Sequence, residues 1–273
     1  MPRQLQPFNI ETTLRKADLD LRESRDLLVY VLNKPLSFLI AHPETKLTPI
    51  QLKKFRKLVT KRRKRIPFAY LTHHQGFYGL DFAVTKDVLI PRPETEQLVD
   101  WVLGNVNRKA PTTIIDVGTG SGCIAVTLAK YLPNTTVIAS DVSAKALLVA
   151  KKNARTNGVS KRITFRQGSL LIVLKPGEQP NLVVANLPYL TQPQLKNVQH
   201  EPKLALHGGT HGLELIEKLI QQIANRNISM AILEIDPSQE RWLIGSGDRL
   251  QGYHYKFLPD LAGRTRFFVL QKA

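Results

Sequence analysis

The chain has 273 residues, 42% hydrophobic and 22% charged, the profile of a packed globular protein and not of a disordered or fibrous one. Its single cysteine, Cys123, excludes an intramolecular disulfide and a cysteine zinc cluster and suits a reducing cytoplasm. Lys and Arg number 39 against 22 acidic residues, a net charge of +17, which favours anionic partners and leaves room for incidental affinity for nucleic acid or ribosomes.

Residues 1–10 lack a basic segment followed by an apolar one, and no run of about 18 apolar residues occurs, so neither export nor a membrane span is expected. Residues 1–80 hold 16 basic and 6 acidic side chains. Much of the surplus lies in Lys53, Lys54, Arg56, Lys57, Lys61, Arg62, Arg63, Lys64 and Arg65. Composition alone does not separate a solvated helix face from a partner-binding patch.

Asp18 to Val31 carries few breakers and reads as a helix. Thr48-Pro49-Ile50-Gln51 combines an N-cap, a first-turn proline and a capping-box glutamine, so a second helix starts at Pro49 and runs to Pro67. The aromatic and β-branched residues of 76–90, around Gly79 and Asp81, predict a β-hairpin. Strands then alternate with helices: strands at 114–117, 136–140, 162–166 and 181–185, helices at 123–131 and 144–157. A helix over 212–226 follows, and strands near 230–235, 253–258 and 266–270. That order predicts an α/β fold with a Rossmann-like, mostly parallel sheet. The expected division is a helical part over 1–73, a linking hairpin over 74–96 and the α/β domain over 97–273. Ligands bind such sheets beyond the carboxyl ends of the strands, here after Val117, Ser140 and Ala185.

The first of those turns is Asp116-Val117-Gly118-Thr119-Gly120-Ser121-Gly122. Its glycines let backbone approach a ligand, and the following helix N-terminus offers N–H groups. The dinucleotide fingerprint needs glycine at 123, and the phosphate loop is absent. The D-x-G-x-G-x-G pattern resembles instead the first motif of S-adenosylmethionine (SAM)-dependent methyltransferases. Asp141 ends the next strand, where a carboxylate accepts ribose hydroxyls. Ser169 and Leu170 follow the third strand, where methyltransferases often place an acid against adenine.

Asn186-Leu187-Pro188-Tyr189 follows the fourth strand. The Asn oxygen and a backbone carbonyl can each accept an N–H of a planar NH₂ group and turn its lone pair towards a methyl donor, with Tyr189 packing on the plane. Amides and exocyclic base amines both remain open on this motif. His207 and His211 are separated by glycines and His73-His74 lacks a neighbouring carboxylate in sequence, so no metal site is expected.

Leu89-Ile90-Pro91-Arg92-Pro93-Glu94-Thr95-Glu96, together with the two motifs above, resembles the HemK/PrmC family of peptide-chain release-factor glutamine methyltransferases. Pro67 to Tyr70, Gly76 to Leu80, Glu201-Pro202, Gly208-Gly209, Glu234-Ile235 and Asp260 to Arg264 match in the same order, so the resemblance runs from about residue 18 to 270. It implies a class I fold of seven strands with the last antiparallel, behind an N-terminal helical substrate-recognition domain. It implies SAM held by Asp116, Gly118, Thr119, Gly120, Ser121, Gly122, Asp141, Ser169, Leu170 and Asn186. It also implies catalysis by Asn186, Pro188 and Tyr189, and substrate contacts from these with Leu187, Pro91, Arg92, Pro93 and Glu94. The acceptor it implies is the Gln of the Gly-Gly-Gln tip of class I release factors. Leu187 stands where proline is commoner, Ser169 where an acid is, and His211 where Asp is.

Overall fold

The computed structural model describes residues 8–196, 198–245 and 250–273. The chain divides into two compact units, Met1–Thr72 and His73–Ala273. Among the described residues no helix is long and apolar enough to cross a membrane.

The first unit consists of helices α1 (Ile10–Arg15), α2 (Leu21–Leu32), α3 (Leu36–Ala41), α4 (Pro49–Arg63) and α5 (Phe68–Thr72). Its core joins Leu27, Leu28 and Val31 of α2 to Phe55, Leu58 and Val59 of α4, positions three and four apart that share a helix face. The first long helix starts three residues later than expected, because the Asp20 carboxylate accepts the N–H of Arg22 and Glu23 and so occupies the N-cap. The α4 start is the expected one: Thr48 and Gln51 cap each other's backbone N–H. Its end comes earlier than Pro67, since Arg65 turns to φ 61° and breaks the helix.

Part of the basic cluster is internally neutralised. Arg62 pairs with Glu23 at 2.5 Å and Arg63 with Asp18 at 2.9 Å, while Lys54 lies over the Tyr30 ring and Arg56 over Phe8. Lys53, Lys57 and Lys61 form an exposed row along α4.

The second unit opens with the hairpin β1 (His74–Phe77) and β2 (Leu80–Ala83). Tyr78 and Gly79 both take positive φ, 50° and 69°, the twist that a two-residue hairpin turn needs. Then come α6 (Glu96–Asn105), β3 (Thr112–Val117), α7 (Cys123–Tyr131), β4 (Thr135–Asp141), α8 (Ala144–Thr156), β5 (Ile163–Gln167), β6 (Leu182–Asn186), α9 (Gln192–Leu195), α10 (Glu214–Asn225), β7 (Met230–Glu234), α11 (Glu240–Ile244), β8 (Tyr253–Pro259) and β9 (Thr265–Lys272). The seven strands lie in the order β5-β4-β3-β6-β7-β9-β8. β3 to β7 pair in parallel and β9 runs antiparallel to both its neighbours.

Alternate residues of the central strands feed two cores. Ile114, Val137, Leu182 and Ile232 pack with α6 and α7, whereas Ile115, Val183, Ala231 and Leu233 pack with Ile216, Leu219, Ile220 and Ile223 of α10. The result is a sheet covered on both faces, which explains why its strands read as continuous apolar runs. The chain leaves β3 towards β4 and β5, then returns past it to β6 and β7. That reversal opens a crevice at the carboxyl ends of β3 and β6.

Candidate active site

The turn after β3 is organised from below by Asp116. Its Oδ2 accepts the Thr119 hydroxyl at 2.6 Å and the Ala125 N–H at 3.1 Å, capping α7, while Oδ1 is buried without a hydrogen-bond partner. Burial is the main cause that pushes this carboxyl up to about 7, against the pull of those two bonds. The turn's amides are less available than the sequence suggested: Gly118 and Thr119 both donate to the Ser140 carbonyl, and Gly120 donates to Asp141 Oδ2 at 2.9 Å. Gly122, at φ 81°, brings α7 so close to α8 that an added Cβ would meet the Ala150 Cβ at 3.0 Å.

Asp141 ends β4 and its other oxygen accepts the Ser143 N–H at 2.8 Å. Ser143, not Asp141, caps α8. Burial raises the Asp141 pKa and its backbone bonds oppose the rise. Each Asp141 oxygen keeps a second lone pair beyond the bonds described.

These groups border a cavity of about 360 Å³, within the size range of sites for cofactors and small ligands. Its wall includes Gly118 to Ser121, Asp141, Ser169, Leu170, Asn186, Leu187 and Pro188, together with Pro91 and Arg92. Arg92 pairs with Glu201, whose other oxygen accepts the Ile90 N–H; this ties two lining segments far apart in sequence. Asp116, Gly122, Tyr189, Pro93 and Glu94 are not among the lining residues. Tyr189 packs instead against the α10-side core, and burial pushes its phenol up to about 12.

The Asn186 Nδ2 donates to Thr95 Oγ1 at 3.1 Å, and that hydroxyl donates to Glu234 Oε2 at 2.7 Å. Thr95 also lines the cavity, and Glu234 is buried behind it. Both residues stand in sequence motifs that match the family, but the sequence assigned neither a role. Packing explains Gly208: a Cβ there would meet the Pro188 carbonyl oxygen at 2.5 Å and the Tyr189 Cα at 2.7 Å, so only glycine lets this segment lie on the turn after β6. Among the described residues, no group of three or more His, Cys, Asp and Glu side chains is placed to hold a metal ion. His74 does find a carboxylate, Asp81 across the hairpin at 3.7 Å. Cys123 lines the cavity, and desolvation pushes its thiol up to about 12, the behaviour of a packed thiol.

Residues 9–72 match the PrmC N-terminal domain family, and residues 114–209 match a methyltransferase domain family. The release factor glutamine methyltransferase of Koribacter versatilis is 40% identical over 261 residues, 90% of this chain and 89% of that one. The chain belongs to the release factor glutamine methyltransferase family. Its relative of the same name in Coxiella burnetii is 38% identical over 253 residues, 90% of each chain. The crystal structure of the N-terminal domain of human METTL16 shares the fold at a TM-score of 0.56 and 18% identity, covering 90% of this chain and 92% of that one.

As a member of this family the protein is a SAM-dependent methyltransferase. The chemistry of the crevice fits the cofactor. Asp141, on the cavity wall, offers acceptors for vicinal hydroxyls beside the apolar walls of Val142 and Leu170.

Proposed function

We propose that this enzyme transfers a methyl group from SAM to the side-chain amide nitrogen of the Gln in the Gly-Gly-Gln tip of class I release factors. The observation that carries the reading is the Asn186 amide, which lines the cavity at the end of β6 with its nitrogen held by Thr95. When bound, SAM supplies an electrophilic methyl on a sulfonium that is already a good leaving group. The chain therefore contributes placement and electrostatics.

Asp141 holds the ribose hydroxyls, the turn from Gly118 to Ser121 backs the amino-acid end over Asp116, and Ser169 and Leu170 border the adenine. Asn186 Oδ1 accepts one N–H of the substrate amide. A neighbouring backbone carbonyl of the turn accepts the other N–H. Two such bonds fix the NH₂ group and aim its lone pair out of the amide plane. Pro188 stiffens the turn, and Tyr189 anchors it in the core. Pro91 and Arg92 form the substrate side of the mouth. An exocyclic base amine is not favoured, because relatives matching nine-tenths of the chain are glutamine methyltransferases.

The test is Asn186→Ala assayed on a release factor. SAM affinity near wild type with turnover lowered by roughly 10²-fold or more is expected, since the lost bonds act mainly near the transition state. Undiminished turnover would remove Asn186 from the mechanism.

A further inference from the structure

The two ends of a carboxamide are nearly the same size, and only the oxygen can accept an N–H. Something must therefore decide which end of Asn186 faces the substrate. Three segments supply the answer: Asn186 and Glu234 are register partners at the ends of β6 and β7, and Thr95 immediately precedes α6. The Thr95 hydroxyl has one proton, and it points at Glu234 Oε2 at 2.7 Å. Only lone pairs remain on the side facing Asn186, 3.1 Å away. Turning the amide by 180° would set its oxygen against those lone pairs.

We propose that Thr95 and Glu234 are positioning residues for methyl transfer, which lock the Asn186 amide with its oxygen towards the acceptor. This rests on the role proposed above for Asn186. A tie between α6 and β7 that served stability alone would not depend on the direction of the hydroxyl proton. This one does. If Glu234 gains a proton it becomes the donor to Thr95, whose own proton is then free for Asn186 Oδ1, and the preference reverses.

Glu234 is placed to change state near neutrality. Burial pushes its carboxyl up to about 7, helped by Glu94 and opposed by the Thr95 hydroxyl, the Arg266 charge and the Asn186 amide. Tyr189 and Cys123 also face it and, both pushed up to about 12, stay neutral through that range. Asp116 shares a value of about 7 but sits under the cofactor turn, so its ionisation is read in SAM affinity.

The experiment compares Thr95→Val, Thr95→Ser and Glu234→Gln, each with kcat and KM for a release factor, SAM affinity by calorimetry and a kcat–pH profile. Thr95→Val should lower kcat by roughly 10- to 100-fold with SAM affinity unchanged. Thr95→Ser should restore most of the loss. Glu234→Gln should remove the fall in wild-type kcat below about pH 7. In an Asn186→Ala background, Thr95→Val should add nothing.

Wild-type kcat in Thr95→Val would overturn the proposal, as would an acid limb that persists in Glu234→Gln or an equal loss of SAM affinity and kcat. If Glu234→Gln does not fold, the two Thr95 variants decide alone. If Asn186→Ala itself turns over normally, the reading of the site fails; if it is slow while Thr95→Val is not, only the positioning role fails.

Discussion

Asp141 carries two burdens at once: it accepts the N–H of Gly120 and of Ser143, and it faces the cavity. Asp141→Ala should therefore weaken SAM binding by about 1.5–3 kcal/mol, the range for losing hydrogen bonds to a charged acceptor, as a roughly 10- to 150-fold rise in calorimetric Kd. An unchanged Kd in a folded variant would take Asp141 out of the cofactor site. Asp141 and Asn186 were legible in the sequence because each ends an apolar strand, and a strand end fixes where a side chain sits. Thr95 and Glu234 were not, since their meaning depends on Asn186 lying 91 residues from the one and meeting the other through sheet register. Tyr189 is placed differently from the rest of its motif. Its neighbours in sequence reach the cavity, while its own ring turns into the core.

At the level of elements, the turn after β6 is held by the glycine segment behind it. Gly208→Ala should overpack the Pro188 and Tyr189 backbone at a cost of about 1–3 kcal/mol. Its larger effect should fall on kcat, through the displaced Asn186; a variant with lower thermal stability and normal kcat would show that the two segments move independently. The order along the chain of the strands in the sheet, with α7, α8 and α10 between them, was readable from apolar runs, and the expected 212–226 helix kept all five of its apolar positions buried: Leu213 at the N-cap of α10, and Ile216, Leu219, Ile220 and Ile223 within it. α6 went unread, although it packs Leu98, Val99 and Val102 into the core. Its sequence follows a proline-rich stretch without an N-cap side chain, so its start carries no local signal.

The α4 cluster reads differently once its pairs are known. Arg62 and Arg63 meet Glu23 and Asp18, whereas Lys53, Lys57 and Lys61 form an exposed row along α4. Replacing these three with Gln should slow association with an acidic partner and flatten its dependence on salt, with SAM affinity unchanged. Stopped-flow association rates at several ionic strengths would reveal it, and an unaltered salt slope would leave the row as solvated surface.

For the whole molecule, Asp116 and Glu234 are carboxyls that burial pushes up to about 7 from the ordinary carboxylate range. The folded state therefore binds more protons than the unfolded state between about pH 4 and 7, and stability falls as pH rises through that window. The lowered carboxyls Glu178, Glu214 and Asp260 act in the other sense, at more acid pH. The urea midpoint of the cofactor-free enzyme should thus decline from pH 5 to 7.5, and Asp116→Asn should flatten the decline. An identical slope in that variant would mean that Asp116 stays ionised throughout.

The most direct test of the whole account is methyl transfer from labelled SAM to a class I release factor, with the labelled peptide mapped by mass spectrometry. One methyl on the side-chain nitrogen of the Gly-Gly-Gln glutamine is predicted, and none when that Gln is changed to Glu, which keeps nearly the same shape without the amide nitrogen. Label on another residue, label retained in the Glu variant, or transfer to RNA and not to the release factor would contradict it.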